Sequence, residues 1–259
     1  MEDAETAPTK EPPAAVARKR RRWWRLALFC LVIWLIAAYF LLPIAWRLAT
    51  RHNHPALDEV PRITHTANGI PGDPLNIALV GSEEELVGAM LKAEWLPADP
   101  ITVRSSLRIA AGTVLRRSYD TAPVSSLYLW GRKQDLAFQQ PFGDDPRRRH
   151  HVRFWKSEKL DENGRPLWAG AATFDTRVGL SHTTLQITHH IDPDVDAERD
   201  KLLGDLTQTD LLAEVYWIDG FHTQLEGRNG GGDRYYTDGR LPVGVLTPEA
   251  KDAEATAGQ

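Results

Sequence analysis

The chain has 259 residues, room for one large domain or two small ones, and its 42% hydrophobic and 25% charged fractions exclude global disorder. The net charge of −4 is unevenly spread: up to Arg51 there are nine Lys or Arg against four Asp or Glu, and the remainder carries −9. An acidic remainder argues against a nucleic-acid partner, since neutralising phosphates needs a basic surface. The one cysteine, Cys30, leaves no intradomain disulfide, Cys-based zinc site or thiol nucleophile downstream.

Residues 1–17 are rich in Ala, Pro, Glu and Thr, and residues 1–22 are expected to form a disordered basic tail. Leu26 to Trp46 is a run of about 21 uncharged residues, long enough to cross the roughly 30 Å hydrocarbon core of a bilayer. Trp23, Trp24 and Trp46 mark its two ends, where amphipathic rings settle among headgroups. A transmembrane helix is therefore expected over residues 23–47. Arg18, Lys19, Arg20, Arg21, Arg22 and Arg25 precede it, and only Arg47 and Arg51 closely follow. By the positive-inside rule, the N-terminus is expected to be cytoplasmic and the C-terminal domain extracytoplasmic. A cleaved signal peptide is the alternative, but its apolar region is shorter and ends at a small-x-small site that Ala45-Trp46-Arg47 does not offer.

Residues 48–74 contain Pro55, Pro61, Pro71 and Pro74 with Gly69 and Gly72, and read as an extended linker. A domain is expected over 75–247, opening with a strand at Leu75–Gly81. Ser82 with Glu85 three residues later forms a capping box for a helix to about Ala93, with Leu86, Met90 and Leu91 as its apolar stripe. Helical spacing predicts a second helix over Ile101–Leu115. Strands are predicted at Ser126–Trp130, Leu136–Gln139, His150–Lys156, Leu167–Thr176, Thr184–Ile191, Val215–Ile218 and within Tyr235–Leu246. Asn163-Gly164 marks a turn, and an acidic helix is expected over Val195–Leu206. Short turns between strands imply an α+β fold, a mostly antiparallel sheet with helices packed on one side. Residues 248–259 are read as a disordered tail.

Three stretches resemble the LssY C-terminal domain family: Trp130-Gly131-Arg132-Lys133-Gln134-Asp135-Leu136-Ala137-Phe138-Gln139, Arg149-His150-His151-Val152-Arg153-Phe154-Trp155, and Thr188-His189-His190-Ile191-Asp192 with Asp196-Ala197-Glu198-Arg199-Asp200. Asn76–Trp95 is similar too. The resemblance covers most of residues 75–245 and implies a bacterial envelope setting, without implying an activity.

The sequence carries no G-x-S-x-G elbow, H-E-x-x-H helix, phosphate-binding Lys loop or dinucleotide fingerprint, so no nucleotide cofactor is expected. Chemistry is sought instead in two His-His pairs, each inside a predicted strand, where neighbours point to opposite faces. Parity places His151 with Arg153, Asp175 with Thr173, and His190 with Thr188 and Asp192, while His150 and His189 face the core. If these strands are neighbours, His151, Arg153, Asp175, His190 and Asp192 share one polar face. With Arg199, such residues suit an anionic or polar ligand, and His151, His190 and Asp175 are the candidate catalytic residues and divalent-metal ligands. The bland alternative is a solvated sheet face.

Asp192-x-Asp194-x-Asp196 imitates the start of a calcium loop, but Ala197 and Leu203 occupy the positions that need Gly and Glu. Helix capping by Asp194 or Asp196 and pairing of Asp196 with Arg199 are expected instead. Arg147-Arg148-Arg149 reads as a solvated loop or a contact for anionic lipid, and Asp233–Arg240 as a pocket mouth or a polar strand and turn. Three function classes stay open: an envelope accessory module binding a polar or anionic ligand, a metal-assisted or acid–base hydrolase acting on an envelope substrate, and a structural partner of another membrane protein.

Overall fold

The computed structural model describes residues 14–42, 57, 59–99, 102, 104, 126–143, 145, 147–183 and 187–248. The chain divides into two compact units, Met1–Asn53 and His54–Gln259.

In the first unit, helix α1 (Ala14–Ile36) runs into a short π-helical segment, Ala37–Leu41. Trp23–Leu41 is long and apolar enough to cross a membrane. Large apolar side chains such as Leu28, Phe29, Trp34 and Phe40 are exposed around it, as suits a helix solvated by lipid. The helix starts earlier than expected, because Ala14–Arg22, assigned to the disordered tail, is helical. Good helix formers after Pro12 and Pro13 account for this.

The second unit is α+β. Its strands are β1 (Ile63–His65), β2 (Pro71–Pro74), β3 (Ile77–Val80), β4 (Leu96–Pro97), β5 (Tyr128–Leu129), β6 (Arg132–Lys133), β7 (Leu136–Pro141), β8 (Arg149–Leu160), β9 (Pro166–Leu180), β10 (Ile187–Ile191), β11 (Leu212–Ile218), β12 (Glu226–Arg228), β13 (Arg234–Tyr236) and β14 (Leu241–Leu246). Its helices include α2 (Glu83–Lys92) and α3 (Val195–Thr207). The main sheet runs β11-β14-β3-β9-β8-β7-β4, with β10 paired to β9. All its pairings are antiparallel except β14 with β3.

Alternation along the long strands sorts the core into two layers. Val152, Phe154, Trp168 and Ala172 face α2 and α3, packing on Leu86, Met90, Leu202 and Leu206. The next residues in register, Trp155, Ala169 and Ala171, face the other way, toward Leu57, Val60, Leu75, Leu127 and Leu129. Gly170 lies where β3 and β8 crowd β9. A Cβ there would come within 2.7 Å of both Ile77 and Phe154. Asn76 ties the layers, its amide donating to Ala172 O at 2.9 Å and Val195 O at 2.8 Å.

The capping box at Ser82 and Glu85 forms as expected, and Asp194 caps α3 by accepting from Ala197 N at 3.0 Å. Asp196 pairs with Arg199 at 3.0 Å. The segment read as a linker needs correction. β1 and β2 form a hairpin, β1 also pairs with β5, and Leu57 and Val60 are buried. The prolines suggest an extended spacer, yet Pro71 and Pro74 sit in β2, a short strand of a small second sheet, β2-β1-β5-β6, where missing N–H donors are tolerated. The helix expected over Ile101–Leu115 lies outside the described residues except for Thr102 and Arg104, which are helical.

Candidate polar cavity

At one end of the main sheet, on the face away from the helices, lies a cavity of about 230 Å³. Arg153 and Asp175 reach it from β8 and β9, Asp73 from β2, His189 from β10 and Asn229 from the loop after β12. The β1–β2 turn, Thr66 to Ile70, and the Gly230-Gly231 backbone complete its rim. Gly72 is required beside it, since a Cβ there would sit 2.5 Å from Thr64 Oγ1.

The wall is a network of buried polar groups. Arg149 donates through Nε to Asp175 Oδ2 at 3.0 Å, through Nη1 to Gln139 Oε1 at 2.9 Å, and lies with Nη2 3.3 Å from His189 Nε2. Arg153 Nη1 donates to Asp73 Oδ2 at 3.1 Å, and Asn229 Nδ2 to Asp73 Oδ1 at 3.2 Å. Such groups are normally kept out of a core unless fully paired.

Burial decides the protonation of this wall. Burial raises the Asp175 carboxyl to about 6, against the opposing pull of Arg149 and Arg153. Burial, reinforced by Arg149 and Arg153, lowers the His189 imidazole to about 4. His189 Nε2 thus accepts from Arg149, and its proton sits on Nδ1. Burial and the same two arginines hold His151 well below its ordinary value. Burial also lowers the Arg153 guanidinium, opposed by Asp73 and Asp175. The wall thus pairs Arg149 with Asp175 and Arg153 with Asp73, so that its charges balance, and burial disfavours protonation of the His151 and His189 imidazoles.

Strand parity correctly places His151, Arg153 and Asp175 on one face: His151 is in register with Thr173, and Arg149 with Asp175. Of these, Arg153 and Asp175 border the cavity. His151 lies buried in the row Gln139–His151–Thr173 behind it. His151 Nε2 and Thr173 Oγ1 have no hydrogen-bond partner among the described residues.

The expected roles of His189 and His190 are exchanged. Between His190↔Arg177 and Ile191↔Asp175 the register skips Thr176, a β-bulge that turns His189 to the cavity. His190 instead bonds Asp233, Nδ1 to Oδ1 at 2.7 Å, so His151, His190 and Asp175 do not converge on one metal position. Asp192 turns away and accepts from Asp194 N at 2.9 Å. Arg199 is 1% exposed and held by Asp196, Asp200 and Asp238, which leaves it a structural rather than a ligand-facing cation.

His150 faces the helix layer as expected, packed on Phe174 with ring centroids 4.8 Å apart and bonded to Glu198 at 2.7 Å. The Arg147–Arg149 triplet splits. Exposed Arg147 pairs with half-buried Asp145, Arg148 lies over the Phe142 ring, and Arg149 enters the cavity wall. Within Asp233–Arg240, Arg234, Tyr235 and Tyr236 border a separate surface groove with Pro193 and Glu226.

The family model described as LssY C-terminus matches residues 57–241, well over half of the chain. The chain belongs to the LssY C-terminal domain family. No curated protein matches it, and no solved structure matches it. The match begins at Leu57, so it takes in the hairpin that supplies Asp73.

Proposed function

We propose that this chain is a membrane-anchored binding module of the bacterial envelope, whose cavity takes a polar, hydroxyl-rich ligand. The observation that carries this reading is the cavity wall: Asp73, Arg153 and Asp175, each almost wholly buried, meet His189 and Asn229 around about 230 Å³. That volume suits one small ligand or a headgroup. Because the wall's charges cancel, it favours a ligand that both donates and accepts hydrogen bonds over a multivalent anion. Two buried polar atoms without partners, His151 Nε2 and Thr173 Oγ1, support a face kept for function at a cost in packing. The apolar helix Trp23–Leu41 anchors the chain. The six basic residues from Arg18 to Arg25 support an orientation with the N-terminus in the cytoplasm and the domain outside it.

A thermal-shift series on the full chain in detergent micelles tests this. Neutral sugars and polyols are compared with inorganic phosphate. A hydroxyl-rich compound is expected to raise the melting temperature, and Asn229→Ala to reduce the shift. Stabilisation by phosphate alone, unaffected by Asn229→Ala, contradicts the reading.

A second reading rests on one observation. A carboxyl raised to about 6 in a cavity is poised for proton transfer near neutral pH, so Asp175 suits an acid–base hydrolase. Turnover of an envelope glycoside or phosphoester that Asp175→Asn abolishes, with binding retained, would establish it.

A further inference from the structure

Beside the cavity, and independent of its ligand, lies a second cluster. His182 stands in the turn after β9, His190 in β10 and Asp233 in the loop before β13. Metal-ligating atoms of all three lie within 4.8 Å of one another. The His182 and His190 rings are 5.3 Å apart, centroid to centroid.

Three features show that the cluster is built. The Asp233 carboxylate accepts from His190 Nδ1 at 2.7 Å, which fixes the proton on Nδ1 and leaves the lone pair on Nε2. That Nε2 is buried and has no hydrogen-bond partner among the described residues. A carboxylate behind an imidazole with a free lone pair is the outer-shell arrangement that orients metal-binding histidines.

The glycine-rich loop closes the other side. His182 N donates to Gly231 O at 2.9 Å, and a Cβ on Gly232 would stand 2.7 Å from His182 Cβ. Only a glycine, here at φ +88°, lets the loop approach that closely. His182 itself is exposed, so its ring can turn toward His190 while solvent fills the remaining positions. Ligands at about 2.1 Å from a tetrahedral ion stand about 3.4 Å apart. A turn of the exposed His182 ring has to close its gap to His190 Nε2 to that spacing.

We propose that His182 and His190, with Asp233 behind them, form a binding site for a divalent first-row transition metal such as zinc. Imidazole nitrogens are borderline donors that suit this class better than calcium or magnesium. A bound ion would pin the Asn229–Asp233 loop to β10, and so fix one side of the cavity rim.

The test uses untagged full-length protein in micelles, in a Cys30→Ser background that removes the one thiol. Cobalt is titrated in as a spectroscopic probe, and zinc is then added to displace it. Saturation at one equivalent per chain is expected, with a visible cobalt band that zinc abolishes. His182→Ala should abolish this binding, and Asp233→Asn should weaken it about 10–100-fold. His65→Gln, at a histidine outside the cluster, should leave it intact. Because His182 is exposed, its substitution tests the site without threatening the fold. Absence of saturable binding, or binding that survives His182→Ala, overturns the proposal.

Discussion

Arg149 and Asp175 form a buried ion pair, Nε to Oδ2 at 3.0 Å, with both side chains 4% exposed, and the cavity wall is organised around it. Removing one partner of such a pair leaves a charge stranded in the core. Asp175→Ala is expected to destabilise the domain by about 3–5 kcal/mol in chemical denaturation. Asp175→Asn keeps an oxygen for Arg149 to bond and should cost less.

The same carboxyl makes stability depend on pH. Its folded value of about 6 lies above the unfolded 3.8, so between these the folded state holds the proton more tightly. Stability from this group therefore falls as pH rises from about 4 to about 6, by on the order of 3 kcal/mol. In denaturation across that range, the stability of the wild type relative to Asp175→Asn should fall as pH rises, whatever the other groups contribute.

The cavity histidines act in the opposite sense. His151 and His189 are held below the ordinary 6.5, so the unfolded chain binds their protons first. Their contribution is present above about 6.5 and is lost as pH falls toward 4. Histidine NMR on the full chain should find both rings neutral from pH 7 down to pH 5.

His150 lies on the opposite face, between Glu198 and an aromatic cluster of Phe142, Phe174 and Trp95. His150→Ala should lower stability by about 1–3 kcal/mol, through lost packing and an unpaired Glu198. Thermal unfolding checks this, and ligand-induced shifts measured relative to the variant's own melting point should persist.

Arg199 gives a sharper case. Its guanidinium serves Asp196, Asp200 and Asp238 and lies 5.0 Å from the Trp217 ring centroid. The Arg199 and Arg240 hydrogen bonds outweigh burial and hold the Asp238 carboxyl well below the usual range. Arg199→Met should destabilise by about 1–3 kcal/mol without altering the cavity, since Asp200 and Asp238 stay partly solvated and Asp238 keeps Arg240. Loss of ligand binding at full folding would instead restore Arg199 as a ligand contact.

Much of this fold was legible because period-2 alternation along β8 and β9 is strong enough to sort His150 from His151 and Phe174 from Asp175. It failed where local chemistry overrides the pattern. Nothing in Ile187–Ile191 announces a bulge in its partner strand at Thr176, so His189 and His190 were exchanged. Arg149 looked solvated beside Asp144, Asp145 and two other arginines, because its partner Asp175 lies on another strand. Asp73 was hidden in a proline-rich stretch that resembles a spacer, and Asn229 is brought in by tertiary folding alone. The spacing of His182 and His190 carries no metal signature until Asp233 is folded against them.

The central claim is that Asp73, Arg153, Asp175, His189 and Asn229 form one ligand site. The most direct measurement is histidine NMR of the full chain in micelles, titrated with the hydroxyl-rich compound that gives the largest thermal shift. The His189 resonances should move in a saturable way, while those of His150, across the sheet, and His222, bonded to Leu75 O at 2.6 Å, stay fixed. A saturable change at His222 or His150 with His189 unmoved would place the ligand elsewhere and contradict the account.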